Sequence, residues 1–566
     1  MKLFLTRVYL FAILPLAALS SIYIFLYPFW KRCAFPEVDG SSPSYLGTKE
    51  APFRLLTLAD PQIEGDTRLR RILLQMPKES ELGVSGKWRD LASAFWQGDT
   101  LAIRAHLKFN WDYVVTSLQY GQKWVDIWGN DLYLAHVFRT MYWYIKPSHT
   151  VVLGDLLSSH WIQSEEFHRR AGRFWNLIFR GMEKVTEEDV ARNEEVVGKS
   201  VWGVKDTGVN WAKKVMNIVG NHDIGYAGDI NRERVDRFED RFGKLNYIWT
   251  FKPPPPPANF TFPTKTKWAT QLPTFTSSTQ DGPKEQQESD EGGDMELLDS
   301  VPPSLRIIIL NDLTLDIPLW DPTMAEATYD IINSLKSNPL LSLHQASLLL
   351  THIPFHKPTG VCTDGPLFDY YEPRYGAGVK KQNHLSDTSS QLLLGRIFGL
   401  PTGDPDMTRR RKPRGLILTG HDHPGCDVWH YFAETHPGAE KNDGRWNATK
   451  YRDKPHMEQA RSQAVGDQVQ DYTSEGVREI TVRSMMGEFE GNAGLMSAWF
   501  DWEKGRWEFR YDSCALGVQH IWWGTHVVLV VAAVMTKVLG LWWVVGFVAG
   551  NMGRKGTDVG REKKVQ

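Results

Sequence analysis

The chain has 566 residues with 65 basic and 67 acidic side chains, a balance that carries no electrostatic footprint for a nucleic-acid partner. Hydrophobic residues make up 42 % of it, enough for a large core, and the length leaves room for more than one domain. Cys33, Cys362, Cys426 and Cys514 are widely spread with no C-x-x-C pair, which excludes a zinc-finger framework and leaves disulfide pairing open.

Residues 8 to 30 are almost wholly apolar and long enough to cross ~30 Å of hydrocarbon. They lack a small-residue cleavage site and run straight into Lys31-Arg32, so an uncleaved signal anchor is expected rather than a removed signal peptide. A Pro/Gly/Ser linker over 33 to 50 leads to a strand at 53 to 59, which delivers Asp60-Pro61-Gln62. The stretch 66 to 149 is rich in Trp and Tyr, and its recurrent charges exclude a membrane span. It predicts helices whose aromatic residues serve core and helix contact, and Gly129-Asn130-Asp131, with no strand before it, is not a metal motif. Gly154-Asp155 follows the apolar run TVVL. Glu165, Glu166, His168, Arg169 and Arg170 beyond it predict a solvated helix face.

Gly220-Asn221-His222-Asp223 ends the run MNIV. Residues 253 to 303 open with five prolines and continue too polar to bury a core, so a disordered insertion is expected there. Strand 305 to 312 resumes the domain, SLLL delivers Thr351-His352, and LILT delivers Gly420-His421-Asp422-His423. Polar insertions at 401 to 413 and 434 to 476 are expected to be peripheral. Three strands, 478 to 485, 495 to 502 and 506 to 513, close the domain at residue 515.

A second apolar run, 521 to 549, is broken only by His526 and Lys537 and predicts another membrane helix. The tail 550 to 566 carries Arg554, Lys555, Arg561, Lys563 and Lys564, which the positive-inside rule assigns to the cytosol. Two spans then place the N-terminus there too and residues 51 to 515 in the lumen. The sequons at Asn259 and Asn447 fall in loop-like sequence and fit that side. Lys563 and Lys564 look like the dilysine signal read by the COPI coat, which returns membrane proteins to the endoplasmic reticulum.

Five strands ending in Asp, Asn or His place hard-oxygen and imidazole donors along one sheet rim, where open α/β sheets bind ligands. Such a donor set suits a divalent metal. The ordered fragments resemble the calcineurin-like metallophosphoesterase superfamily, whose motifs run D-x-H, G-D, G-N-H-[DE], H and G-H-x-H. Gln62 stands where the first of these usually has His, a neutral and weaker donor. The resemblance implies an α/β fold, a two-sheet sandwich flanked by helices, here with one transmembrane helix at each end. It implies two divalent cations, manganese first with iron or zinc as alternatives. One would be held by Asp60, Gln62, Asp155 and His423, the other by Asp155, Asn221, His352 and His421. Cations ~4 Å apart activate a water and steady a phosphate oxygen. His222 would stabilise charge or protonate the leaving oxygen, with Asp223 fixing its tautomer. His356 is a further candidate for reaching the substrate, while Arg483 and the turn 487 to 494 receive no role.

D-P-Q-I-E-G, T-H-I-P-F-H, R-S-M-M-G-E-F-E-G-N-A-G and the two spans look like the fungal endoplasmic-reticulum branch of that superfamily, which remodels ethanolamine phosphate on GPI anchors. The partners then implied are GPI-anchored proteins or GPI glycolipid, the membrane and the COPI coat, with no nucleic acid. The location implied is the endoplasmic-reticulum membrane, with cycling through the early Golgi. The competing expectations are a phosphatase or pyrophosphatase on a soluble lumenal substrate, and a non-catalytic cargo or chaperone factor.

Overall fold

The computed structural model describes residues 2–38, 49–78, 88–200, 207–256, 302–316, 319, 321–337, 344–362, 365–376, 378–399, 414–433, 445–453 and 476–562. The expected disordered insertion, the sequon Asn259 and the dilysine Lys563-Lys564 lie outside them, apart from the insertion's two edges. The chain divides into two compact units, one of residues 1–33 with 516–566 and one of residues 34–515.

In the first unit, helical segments run over Lys2–Trp30 and from Gln519, and their 29- and 30-residue apolar stretches are long enough to cross a membrane. They pair antiparallel: Lys2 Nζ donates to the Trp542 carbonyl (3.3 Å), and the Tyr9 and Thr536 hydroxyls share a hydrogen bond of 2.7 Å. Ala17, Ile24 and Ala532 are buried between or along them, while most other apolar side chains face outward.

The second unit is built on two sheets. One holds β1 (Phe53–Leu58), β2 (His149–Leu153), β3 (Glu183–Lys184), β4 (Lys214–Ile218), β14 (Asn492–Asp501) and β15 (Arg506–Ala515), in the order β15-β14-β1-β2-β4-β3. The other is ordered β12-β11-β13-β10-β7-β6-β5. Its strands are β5 (Tyr247–Phe251), β6 (Ser304–Ile309), β7 (Gln345–Leu350), β10 (Gly415–Thr419), β11 (Cys426–Ala433), β12 (Arg445–Lys450) and β13 (Gly476–Thr481). A small pair, β8 (Phe368–Tyr370) and β9 (Val379–Gln382), lies apart.

The central strands β1, β2 and β4, and likewise β6, β7, β10 and β13, run parallel. Strands covered on both faces read as continuous apolar runs, which is why FRLLTL and QASLLL show no alternation. Their inward residues share one core: Phe53, Leu55, Val151, Leu153 and Ile218 meet Leu305, Ile307, Leu348, Leu350 and Leu418. Each such burial contributes roughly 1.5–3 kcal/mol. Because parallel strands all end at the same rim, the residues after β1, β2, β4, β7 and β10 converge there.

Three expectations need correction. β12 lies inside the stretch read as a peripheral insertion, and it makes Asn447 a half-buried strand residue paired with Tyr431, not a loop residue. The stretch 66 to 149 does form helices (Thr67–Leu74, Trp88–Trp96 and the 46-residue Thr100–Ile145), and Asp131 is helical as expected. Its aromatics are only partly core: Phe109, Tyr133 and Phe138 are buried, whereas Trp88, Trp96 and Trp111 are exposed. Finally, Glu166 and Arg170 are buried rather than solvated.

Candidate metal centre

Two overlapping donor groups form at the rim. Asp60, Asp155 and His423 present ligand atoms within 4.8 Å of one another, as do Asp155, His352 and His421. Asp155 belongs to both. The Asn221 carboxamide oxygen joins the second group, 3.1 Å from His352 Nε2 and 2.9 Å from His421 Nδ1. Gln62 joins the first, its amide nitrogen 3.2 Å from Asp155 Oδ2 and 3.1 Å from His423 Nε2. All seven residues proposed as ligands from sequence are therefore brought together around Asp155, with Gln62 presenting its amide nitrogen rather than its oxygen.

The motif glycines let the sheets close this tightly. A Cβ at Gly154, whose φ is +84°, would sit 2.1 Å from His352 Nδ1, and one at Gly420 would sit 2.2 Å from the Leu153 carbonyl oxygen. Both substitutions would wedge the ends of β2, β7 and β10 apart. Among the described residues seven non-glycine residues have positive φ, and four of them are Asp60, Gln62, Asp155 and His421. Backbone strain of this kind concentrates at functional sites.

The donors fit a divalent cation. His352 donates Nδ1–H to the Leu153 carbonyl (2.9 Å) and His421 donates Nε2–H to the Gln382 carbonyl (2.6 Å), so each ring keeps its other nitrogen for the centre. Asp60 Oδ1 accepts the His421 N–H at 3.0 Å, while its Oδ2, fully buried, has no hydrogen-bond partner. A buried carboxylate oxygen left so is costly unless a cation meets it. The protein's own charges tell the same story. Burial pushes the Asp60 carboxyl well up. Burial also opposes ionisation of Asp155, but His222 and His352 beside it hold it well below the usual carboxylate range. Burial alone would lower His352; Asp155 and Asp60 instead drive it up to about 10, and that proton is one a bound cation displaces.

His222 sits beside the centre, with Nε2 3.8 Å from Asp155 Oδ2 and its side chain partly open to solvent. Its orientation comes from an unforeseen source. Nδ1–H points at the Ser158 carbonyl (3.0 Å), and Asp223 makes no hydrogen bond to the ring. Asp223 is instead a backbone clamp: it accepts the N–H groups of Gly220 (2.9 Å), Leu156 (3.2 Å) and Leu157 (2.9 Å), tying the Asp155 turn to the Asn221 turn. Burial and the nearby Asp155 charge push its carboxyl up to about 7, against the pull of those donors.

Three supporting groups had no role in the sequence reading. Arg170 donates to Glu166 Oε1 (2.9 Å), Ser158 Oγ (2.9 Å) and the Ile63 carbonyl (3.3 Å), holding the segment after Gln62 against the turn that orients His222. An i, i+4 Glu–Arg pair on a helix that also buries Phe167 and Ala171 is the sequence trace of it. The turn after β13 does have a role: Ser484 Oγ donates to the Asp60 carbonyl (3.1 Å), Met485 N–H to Ala59 (2.9 Å), and the Phe489 ring packs edge-on to His423. Behind His352, buried Glu479 accepts the Phe355 N–H (2.9 Å) and pairs with His430 (2.6 Å) and Lys357 (3.2 Å). A disulfide from Cys362 to Cys426, with Cα atoms 6.1 Å apart, ties the same segment to the start of β11, three residues past His423. Lys381 on β9 is near enough for its charge to act on both His421 and His423, though burial is the larger cause of their lowered pKa values. His356 is half-buried, its ring 5.1 Å from that of His384.

The chain is similar to known proteins over much of its length. The chain is 30 % identical to Protein TED1 of Saccharomyces cerevisiae over 447 residues, 72 % of this chain and 76 % of the relative. It is 25 % identical to an uncharacterised protein of Schizosaccharomyces pombe over 419 residues, 70 % of this chain and 68 % of that one. A shorter match, 25 % over 120 residues, joins 21 % of the chain to 24 % of Metallophosphoesterase 1 of Danio rerio. No family model matches the chain.

Proposed function

The chain belongs to the calcineurin-like metallophosphoesterase superfamily, in the branch of yeast Protein TED1, and from that premise we propose that it is a phosphodiesterase using two divalent cations, manganese foremost. Its proposed substrate is ethanolamine phosphate on GPI-anchor glycans, whose removal supports export of anchored proteins from the endoplasmic reticulum. The observation that carries the reading is the pair of donor groups sharing Asp155, the arrangement that holds two cations close.

Cations bound there supply the Lewis-acid charge that activates a water and neutralises the phosphoryl oxygens. The chain's own residues do the rest. Asp155, Asp60, Asn221, Gln62 and the three imidazoles hold the geometry. With Nδ1–H spent on the Ser158 carbonyl, the doubly protonated His222 ring carries its second proton on Nε2, delivers it to the leaving alkoxide and returns to neutral. Ser158 and Arg170 keep that ring aimed, and Asp223 keeps the two ligand turns in register.

We place the site-bearing unit in the lumen and both chain ends in the cytosol, where the COPI coat reads Lys563-Lys564. The antiparallel pairing of the two apolar helices supports ends on one side. The Cys362–Cys426 disulfide supports an oxidising compartment. A second, non-catalytic reading draws on Gln62, whose amide nitrogen rather than oxygen faces Asp155 and His423.

The deciding experiment compares wild type with Asp155→Asn in cells lacking the protein, reading anchor glycans by mass spectrometry and bound metal on the purified chain. Retained ethanolamine phosphate with Asp155→Asn but not wild type supports the reading. Identical glycans in all strains reject the substrate, and full complementation by Asp155→Asn with no bound metal supports the non-catalytic one.

A further inference from the structure

Helix Thr100–Ile145 has two apolar faces, and the unit's core uses one. The inner face is buried through Phe109 and Ile127, with Lys123 between them paired to Glu64 and Asp126. On the opposite side Leu107, Trp111, Val114, Leu118 and Val125 are 44–69 % exposed. At 100° per residue these five fall within an arc of about 60°, and at 1.5 Å per residue they make a stripe ~27 Å long. Two shorter helices packed on this one expose Leu74, Trp88 and Trp96 as well.

We propose that this stripe is a docking face for a phospholipid bilayer. A contiguous exposed apolar surface of this size marks an interaction site, and two features select lipid as its occupant. The chain itself carries two helices of membrane-crossing length, so the unit bearing the stripe is covalently held at a bilayer. Exposed Arg104 and Lys108 lie along one edge of the stripe, beside Trp111, an aromatic-plus-basic edge that suits headgroup phosphates over an apolar interior. Docking also reaches the site. Glu64, the partner of Lys123 on the inner face, is two residues beyond Gln62, so lipid on the outer face lies about one helix diameter, ~10 Å, from the segment that carries a ligand. Lipid binding here stands independently of the hydrolytic reading.

The test uses the full chain reconstituted in vesicles of phosphatidylcholine with a minor phosphatidylserine fraction. Photoreactive benzoylphenylalanine replaces Trp111 or Leu118, with exposed Glu195 as the control position. Phospholipid adducts at 111 and 118 and none at 195 are expected. Adducts only to protein, to a second copy or another chain, overturn the proposal, as does their absence. A Trp111→Asp, Leu118→Asp variant should hydrolyse a vesicle-borne phosphodiester about tenfold more slowly, with a soluble aryl phosphodiester unaffected. Equal loss on both overturns docking. Wild type inert on both rejects the hydrolytic reading, and the adducts then decide this one alone.

Discussion

Asp223 shows how much of this site is held by backbone. Its carboxylate is fully buried and accepts three main-chain N–H groups, two on Oδ2 (Gly220 and Leu156) and one on Oδ1 (Leu157). Asp223→Ala orphans all three in a place water does not reach. At about 1–3 kcal/mol for each unsatisfied buried donor the cost is ~3–9 kcal/mol, comparable with the whole stability of many domains. Asp223→Asn keeps one oxygen. Placed where Oδ2 now lies it still serves Gly220 and Leu156 while its amide faces the Leu157 N–H, so about 1–3 kcal/mol is lost. The two variants should rank in that order in thermal unfolding of the full chain. Asp223→Asn should stay folded yet bind metal more weakly, because the turns carrying Asp155 and Asn221 loosen against each other. A role confined to setting the His222 tautomer predicts otherwise: unchanged melting and metal content for both variants, with only the rate reduced. That outcome would refute the clamp.

Three further outcomes follow from the same geometry. His222→Ala should keep its metal and lose roughly 10²-fold or more in rate on a poorly activated leaving group, with a smaller loss on an aryl ester that needs no proton; equal losses would remove the ring from proton delivery. Gln62→His should tighten metal binding in a titration against a competing chelator, since imidazole is the stronger donor, and an unchanged affinity would mean position 62 does not touch the ion. Glu479 is held down to about 2: burial opposes its charge, and Lys357 and His430 overcome it. Its stabilisation, about 3 kcal/mol for a shift of this size, should be fully present above about pH 4.5 and drain away as pH falls toward 2. Glu479→Gln should flatten acid unfolding in that window, and a variant as acid-sensitive as wild type would count against the pair.

The donor residues gathered at the rim were legible in the sequence for a specific reason. In a parallel strand buried on both faces, apolar residues run without a break, and the first polar residue after the run marks the rim. LLTLA before Asp60, TVVL before Gly154-Asp155 and SLLL before Thr351-His352 each obey that rule, so five separate strand ends pointed to one place. What the sequence hid is whatever depends on a partner remote in the chain. Glu166 and Arg170 have the composition of a solvated helix face and become buried because Ile63 and Ser158 arrive from other elements. β12 reads as polar loop because RWNATK at a sheet edge draws its order from β11. The motif G-N-H-D suggested that neighbours in sequence act on each other, whereas the chain turns His222 toward Ser158 and Asp223 toward Leu156 and Leu157. The exposed stripe on helix Thr100–Ile145 carries the same lesson from the other side. Aromatic wealth was read as core and helix contact, and Trp88, Trp96 and Trp111 are exposed instead. The docking proposed above adds a second apolar solvent, and the spacing of Leu107, Trp111, Val114 and Leu118 on the face away from Phe109 and Ile127 is what that solvent would select.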